Sequence, residues 1–306
     1  MEAVTPAPRR NKEEDQYLDL LRNIMDNGVE REDRTGTGTR SLFVPPVMRF
    51  SLAGGRVPLI TTKRVPWKTV IKELLWFLRG ETDARILQDD NVHIWDGNTT
   101  REFLDKRGLH TYREGLIGPG YGHQWRHFGG KWDPDCTPNS TGGVDQIAEV
   151  ISQLKTDPYS RRLVVTAWNP TETHRMALPP CHNYFEFYVT PAREGRDSLS
   201  LHYHMRSNDV FLGAPFNMFS YAVLLRIIAA KVNMEPHELV VSLGDAHLYV
   251  NHMASVKKQL SRDPFPFPTL EIADEMTDLN FSEINVTHFS LKDYEHHATI
   301  LAHMAV

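Results

Sequence analysis

Apolar residues keep a helical rhythm from early in the chain. Tyr17, Leu18, Leu21, Ile24 and Met25 recur on one face and Gly28 follows as a stop, which predicts a first amphipathic helix. Residues 42–50 and 59–62 lose that rhythm and read as strands. Pro66 then opens a helix running to residue 79, with Val70, Ile71, Leu74, Leu75 and Leu78 inward. Val144, Ile147, Ile151 and Leu154 mark another helix, followed by a strand over 163–168. Two apolar and aromatic runs, 184–189 and 199–204, flank the turn 191–196 and read as paired strands. Residues 219–232 form a long apolar helix and 251–260 a second; beyond Pro264, Pro266 and Pro268 short terminal strands are expected. Helices and strands are interspersed without a repeat or linker, so the expectation is one α/β (α+β) domain.

Composition narrows the picture. A chain of 306 residues, 41% of them hydrophobic, can bury a sizeable core. The net charge of -5 gives no global attraction to nucleic acid or an anionic membrane, so neither is an expected partner. No apolar run has the length of a membrane span and residues 1–11 lack a signal-peptide core, so a soluble, intracellular, cytoplasmic protein is expected. Residues 1–14, with Pro6, Pro8, Arg9, Arg10, Lys12, Glu13 and Glu14, read as a mobile tail, which leaves 15–306 as the folded domain. Cys136 and Cys181 are too few for a disulfide scaffold or a four-ligand zinc site. The 15 histidines sit at no spacing that gathers a ligand set, so no metal is expected.

The candidate chemistry centres on residues 176–217. Pro179 and Pro180 stiffen the chain just before Cys181, and the strand pair that follows would bring the thiol towards Arg206. A lone cysteine is most often a small buried hydrophobe. A neighbouring guanidinium would instead favour the thiolate, the form that attacks. His182 should point away from Cys181 on a strand, so the arginines are the stronger candidates for activating it.

Other segments carry weaker signals. Residues 33–39 form a glycine and hydroxyl loop around Arg34, suited to a phosphate or simply a turn. Glu73 lies beside an apolar helix face, where burial would raise its pKa, although an exposed glutamate is the commoner case. Residues 93–130 are rich in aromatic side chains able to stack a flat ring, or to fill a core. Arg161 and Arg162 point to opposite sides of an extended chain and by themselves suggest only an exposed basic pair.

Taken together, the motifs resemble the thymidylate synthase family from about Tyr17 to Val306. The likeness is carried by Leu178-Pro179-Pro180-Cys181-His182, by Arg206-Ser207 with Asp209, Leu212-Gly213 and Pro215-Phe216-Asn217, and by Gly244-Asp245-Ala246-His247-Leu248-Tyr249. Asp33-Arg34-Thr35-Gly36-Thr37-Gly38-Thr39, Glu73-Leu74-Leu75-Trp76-Phe77 and Gln124-Trp125-Arg126-His127-Phe128-Gly129 add to it. The resemblance implies a large mixed or antiparallel sheet packed by helices, and a sheet-mediated homodimer. It implies reductive methylation of deoxyuridine monophosphate (dUMP) to thymidylate (dTMP), with 5,10-methylenetetrahydrofolate as one-carbon and hydride donor. Cys181 would add to uracil C6, Glu73 and Tyr121 would handle protons, and Asn217 would read N3 and O4 of the base. Arg34, Arg206 and Ser207, with Arg161 and Arg162 of the partner, would bind the phosphate, and His247 and Tyr249 the sugar hydroxyl. The folate would lie against Ile94, Trp95, Asn98, Asp209, Leu212, Gly213, Phe216 and the tail at Ala305.

Five positions depart from the family pattern. Glu186 and Met205 each stand where glutamine is usual, Gly120 replaces a larger apolar residue, and His296 and Ala298 replace prolines. A buried carboxylate at Glu186 would be costly unless paired or protonated. Such changes fit either neutral drift or a hydroxymethylase of dUMP, less readily of dCMP, that quenches the same covalent intermediate with water. A binding protein of the same fold, for nucleotide or RNA and without turnover, is the remaining alternative.

Overall fold

The computed structural model describes residues 11–302. The elements in order are α1 (Lys12–Asn27), β1 (Val29–Arg31), β2 (Thr39–Phe43), β3 (Met48–Ser51), α2 (Trp67–Leu78), α3 (Arg85–Asp89), α4 (Arg101–Lys106) and α5 (Tyr121–His127). They continue with β4 (Lys131–Trp132), β5 (Ser140–Thr141), α6 (Gln146–Thr156), β6 (Val164–Thr166), β7 (His182–Thr190) and β8 (Ser198–Asp209). The chain then forms α7 (Gly213–Lys231), β9 (Glu235–Tyr249), α8 (Met253–Leu260), β10 (Thr269–Ile272) and β11 (Phe289–Lys292). The main sheet runs β1-β2-β9-β8-β7-β6, with β3 also paired to β9. Among the described residues β8 and β9 are the parallel pair of this sheet and its other pairs are antiparallel. The mixed sheet of a single α+β domain is thus as the resemblance implies.

The parallel pair exists because α7 carries the chain back across the sheet. That helix is apolar all round, as a fully packed helix must be. By length and composition it could cross a membrane, but 67% of it is buried, with Met218, Phe219, Leu224, Leu225 and Ile228 in the core. It is a core helix.

Three expectations need correction. The tail predicted over 1–14 extends too far, because Asn11 caps α1 and the buried Glu14 carboxylate accepts from the Thr61 and Thr62 N–H groups. The same contact explains why 59–62 is not a strand: those N–H groups serve Glu14 and no ladder. Residues 42–50 form two strands, since Pro45 and Pro46 cannot donate to a ladder and Val44 turns to a φ of 50°. Strand β9 is not evident from the sequence, although Leu239, Val241 and Leu243 alternate inward along it.

Candidate active site

One edge of the sheet collects the chemistry. Because β8 and β9 are parallel, their ends Arg206–Asp209 and Asp245–Tyr249 lie side by side, with Asp209 registered opposite His247. β7 is antiparallel to β8 and so begins at that edge, immediately after Cys181. β2 is antiparallel to β9, with Thr39 opposite Tyr249, which brings in the Arg34 loop. Helix α7 starts there too. Gly244 permits this convergence, since a Cβ would sit 2.7 Å from the Arg206 carbonyl.

Cys181 is held by its backbone. Its N–H donates to the Tyr121 hydroxyl at 2.8 Å and its carbonyl accepts from the Arg206 N–H at 2.9 Å. The Arg206 guanidinium donates to the Pro180 and Pro179 carbonyls at 2.8 and 2.9 Å, and lies 3.9 Å from the thiol sulfur. Trp168 stacks beneath that guanidinium. Burial pushes the Cys181 thiol up, Arg206 and Arg34 pull it down, and burial prevails. The expected activation by arginine is therefore present but outweighed. His182 is no base for the thiol: it is buried, bonds the Tyr221 hydroxyl at 2.8 Å, stacks on Tyr121, and burial lowers its pKa to about 3.

Glu73 projects from α2 into an aromatic wall. Burial raises its pKa to about 7, against one stabilising bond from the Trp95 indole N–H at 2.9 Å. Trp95 packs edge-on against Tyr121, which is stacked on His182. The Tyr121 hydroxyl is pushed well up, first by burial and then by Cys181, and stays protonated. Ile94 and Trp95 pack against the same core as Tyr121, and Asn98, three residues on, is buried.

Leu212, Gly213, Phe216 and Asn217 are the half-buried face of the first turns of α7, while Ala214, Pro215, Met218 and Phe219 face the core. Asp209 Oδ1 accepts from the Phe211 and Leu212 N–H groups, both at 3.0 Å, and so fixes the entry to the helix. Asn217 Oδ1 accepts from Asn208 Nδ2 at 3.1 Å. Burial, then the charges of Asp209 and Asp33, push the Tyr249 hydroxyl up to about 12, with Arg34 opposing. His247 packs edge-on against Tyr249 and contacts Asp245.

Sequence reasoning missed Lys63. Burial lowers its pKa to about 7, offset by Asp209, and its ammonium donates to the Phe211 carbonyl at 2.5 Å. A lysine after two threonines looks like surface; only the buried network of Glu14, Thr61 and Thr62 reveals otherwise. Arg161 and Arg162 are exposed before β6 and form no ion pair among the described residues, so this chain does not bring them to Cys181. Ala305 lies outside the described residues.

The departures divide. Glu186 is half-exposed and pairs with His202 at 2.9 Å, so the cost of a buried, unpaired carboxylate does not arise. Gly120 starts α5, and a Cβ there would press only on the Ile117 side chain at 3.3 Å. His296 packs at a tilt against Tyr294 and the Ala298 carbonyl accepts from Arg262, both beside the 61–65 segment. Only Met205 touches the site, through Asn208. Among the described residues no three metal-binding side chains converge.

A desolvated thiol beside a guanidinium, with a buried carboxyl whose pKa is about 7 on the neighbouring wall, is an arrangement suited to nucleophilic and proton-moving enzyme chemistry. The chain belongs to the thymidylate synthase family, whose sequence profile, described as thymidylate synthase, matches residues 15–306. It is 50% identical to the thymidylate synthase of Saccharomyces cerevisiae, over 97% of this chain and 98% of the relative. It is 46% identical to that of Candida albicans over the same shares, 97% and 98%. It is also 50% identical to the bifunctional dihydrofolate reductase-thymidylate synthase of Leishmania major, over 97% of this chain but 56% of that longer relative. The chain is thus an enzyme that methylates dUMP to dTMP, with methylenetetrahydrofolate as cosubstrate.

Proposed function

We propose that Cys181 is the nucleophile of this reaction and that the edge around it is the substrate site. The thiolate adds to C6 of uracil, forming the S–C6 bond while the C5–C6 electron pair moves towards O4. C5 thereby becomes able to attack the one-carbon unit of the folate. Arg34, Arg206 and Ser207 hold the phosphate dianion and His247 and Tyr249 the sugar hydroxyl, which fixes C6 against the sulfur. Asn217 accepts the N3 proton and donates to O4. Glu73 delivers and removes protons, a role that its pKa of about 7 suits. Tyr121, anchored by the Cys181 N–H, keeps its own proton to orient a water near C5. Ile94, Trp95, Asn98, Asp209, Leu212, Gly213, Phe216 and Ala305 contact the folate.

The observation that carries this reading is the Cys181–Arg206 pair at 3.9 Å, set where the strand ends meet. The outer sheet face supports a homodimer, because Tyr188, Val164 and Phe43 are exposed on it. Arg161 and Arg162 lie beside that face, so a second copy could receive them at its phosphate site. We place the enzyme in the cytoplasm as a soluble protein.

The test is to supply dUMP and methylenetetrahydrofolate, follow dihydrofolate by absorbance and weigh the nucleotide product. Thymidylate in step with dihydrofolate, lost in Cys181→Ser, supports the assignment. Hydroxymethyl product without folate oxidation, or turnover surviving Cys181→Ser, overturns it.

A further inference from the structure

From the buried contacts beside the base reader, we infer that Asn208 and Met205 form a relay that sets which way the Asn217 amide points, and so makes the enzyme read uracil and refuse cytosine. This rests on Asn217 contacting the base. An asparagine amide presents an acceptor and a donor of nearly equal size, and rotation by half a turn exchanges them. Uracil offers a donor at N3 and an acceptor at O4; cytosine offers an acceptor at N3 and a donor at its amino group. Rejection of cytosine therefore depends on what holds Asn217 from behind.

Asn208 is 2% exposed, one residue before the Asp209 that starts the turn into α7. Its Nδ2 has two acceptors, the Met205 sulfur at 2.9 Å and Asn217 Oδ1 at 3.1 Å. Its own Oδ1 is buried with no hydrogen-bond partner among the described residues. That unpaired oxygen would suggest the opposite orientation, but Met205 opposes it. A thioether accepts weakly and cannot donate, so turning Asn208 over would set its oxygen against the sulfur lone pairs and strand both amide hydrogens. Met205 thus keeps Nδ2 facing Asn217, and that N–H keeps Asn217 Oδ1 on its side. The oxygen retains a second lone pair for the uracil N3 proton, and Asn217 Nδ2 is left for O4. Glutamine, usual at position 205, could donate or accept; methionine removes that choice and passes the decision to Asn208. Both are positioning residues.

The experiment measures affinities of the full chain for dUMP and dCMP by calorimetry, without folate. Asn208→Asp keeps the shape but offers only acceptors, so Asn217 turns its NH₂ towards position 208 and its oxygen towards the base edge. The dUMP-over-dCMP preference should fall about tenfold, roughly 1.4 kcal/mol. Asn208→Leu, which introduces no charge, should lower the preference less, and adding Met205→Gln to it should restore part of the loss. Equal weakening of both nucleotides in Asn208→Asp and Asn208→Leu would show packing alone and overturn the inference. An unchanged preference in both variants would overturn it as well. Asn217→Asp separates the two layers: if it shifts preference towards dCMP while the position 208 variants do not, the relay fails and the reader stands. If Asn217→Asp leaves preference unchanged, the reader fails and the relay with it.

Discussion

Cys181 and Glu73 both act on the Tyr121 hydroxyl and both are pulled from water, yet their surroundings differ in kind. Cys181 has two guanidiniums to oppose its desolvation, whereas Glu73 has a single indole N–H. Burial raises the pKa of both groups, because it disfavours whichever form is charged. For the glutamate the consequence is useful by itself: a carboxyl near 7 can give and take protons at neutral pH. For the thiol it is a handicap that the arginines reduce without removing. The acid is thus tuned by apolar packing and the nucleophile by ionic neighbours, so substitutions should separate them.

The largest effect is expected at the nucleophile. Cys181→Ser should lower kcat by on the order of 10³-fold or more, while dUMP still binds, since the phosphate and base contacts remain. Glu73→Gln comes next. Glutamine can still accept from Trp95 but cannot shuttle a proton, so kcat should fall about 10²- to 10⁴-fold and the pH profile should lose its limb near 7. The same variant has a stability signature. Glu73 is raised from 4.5 to about 7, so the folded protein holds this proton more tightly than the unfolded chain does. The stability this contributes is complete below about pH 4.5 and is lost as pH rises through about 7. Glu73→Gln should therefore be more stable than the parent at pH 8, by up to about 3 kcal/mol, and the gap should shrink towards pH 4.5. Thermal midpoints across pH check this; a variant less stable at pH 8 would mean that Glu73 is not desolvated.

The thiol's neighbourhood was legible in the sequence because its partners are local. Residues 184–189 and 199–204 alternate well enough to imply a hairpin, and a hairpin alone sets Cys181 beside Arg206. The helix bearing Glu73 was equally plain, since Val70, Ile71, Leu74 and Leu75 keep strict helical spacing. What surrounds Glu73 was not. Trp95 lies 22 residues further along, and nothing in the spacing aims its N–H at that carboxylate. Lys63 and β9 escaped for a related reason: the lysine's partner Phe211 lies 148 residues further along, and β9 gains its place from pairing on both sides. The net rise of the Cys181 thiol was unreadable because desolvation is a property of the closed pocket.

A smaller effect should follow on the thiol side from Arg206→Lys. Lysine keeps the charge but lacks the fork that reaches the Pro179 and Pro180 carbonyls at once. The expected outcome is a roughly tenfold rise in KM for dUMP, with the pH profile of thiol alkylation displaced upward. An alkylation profile that stays in place would mean that Arg206 positions the segment without acting on the sulfur.

The finest distinction lies at the indole. Among the described residues Trp95 supplies the one hydrogen bond that favours the charged form of Glu73, so Trp95→Phe removes a stabilising contact while keeping most of the aromatic wall. With that bond gone, desolvation acts unopposed and the Glu73 limb of the pH profile should move up by roughly half a unit, with a modest loss in kcat at neutral pH. The thiol, lying behind Tyr121, should keep its alkylation profile, which distinguishes loss of one bond from collapse of the pocket. A limb that moves down would show that removing Trp95 admits water to Glu73, and that the indole's bulk, rather than its N–H, sets the proton affinity of the acid.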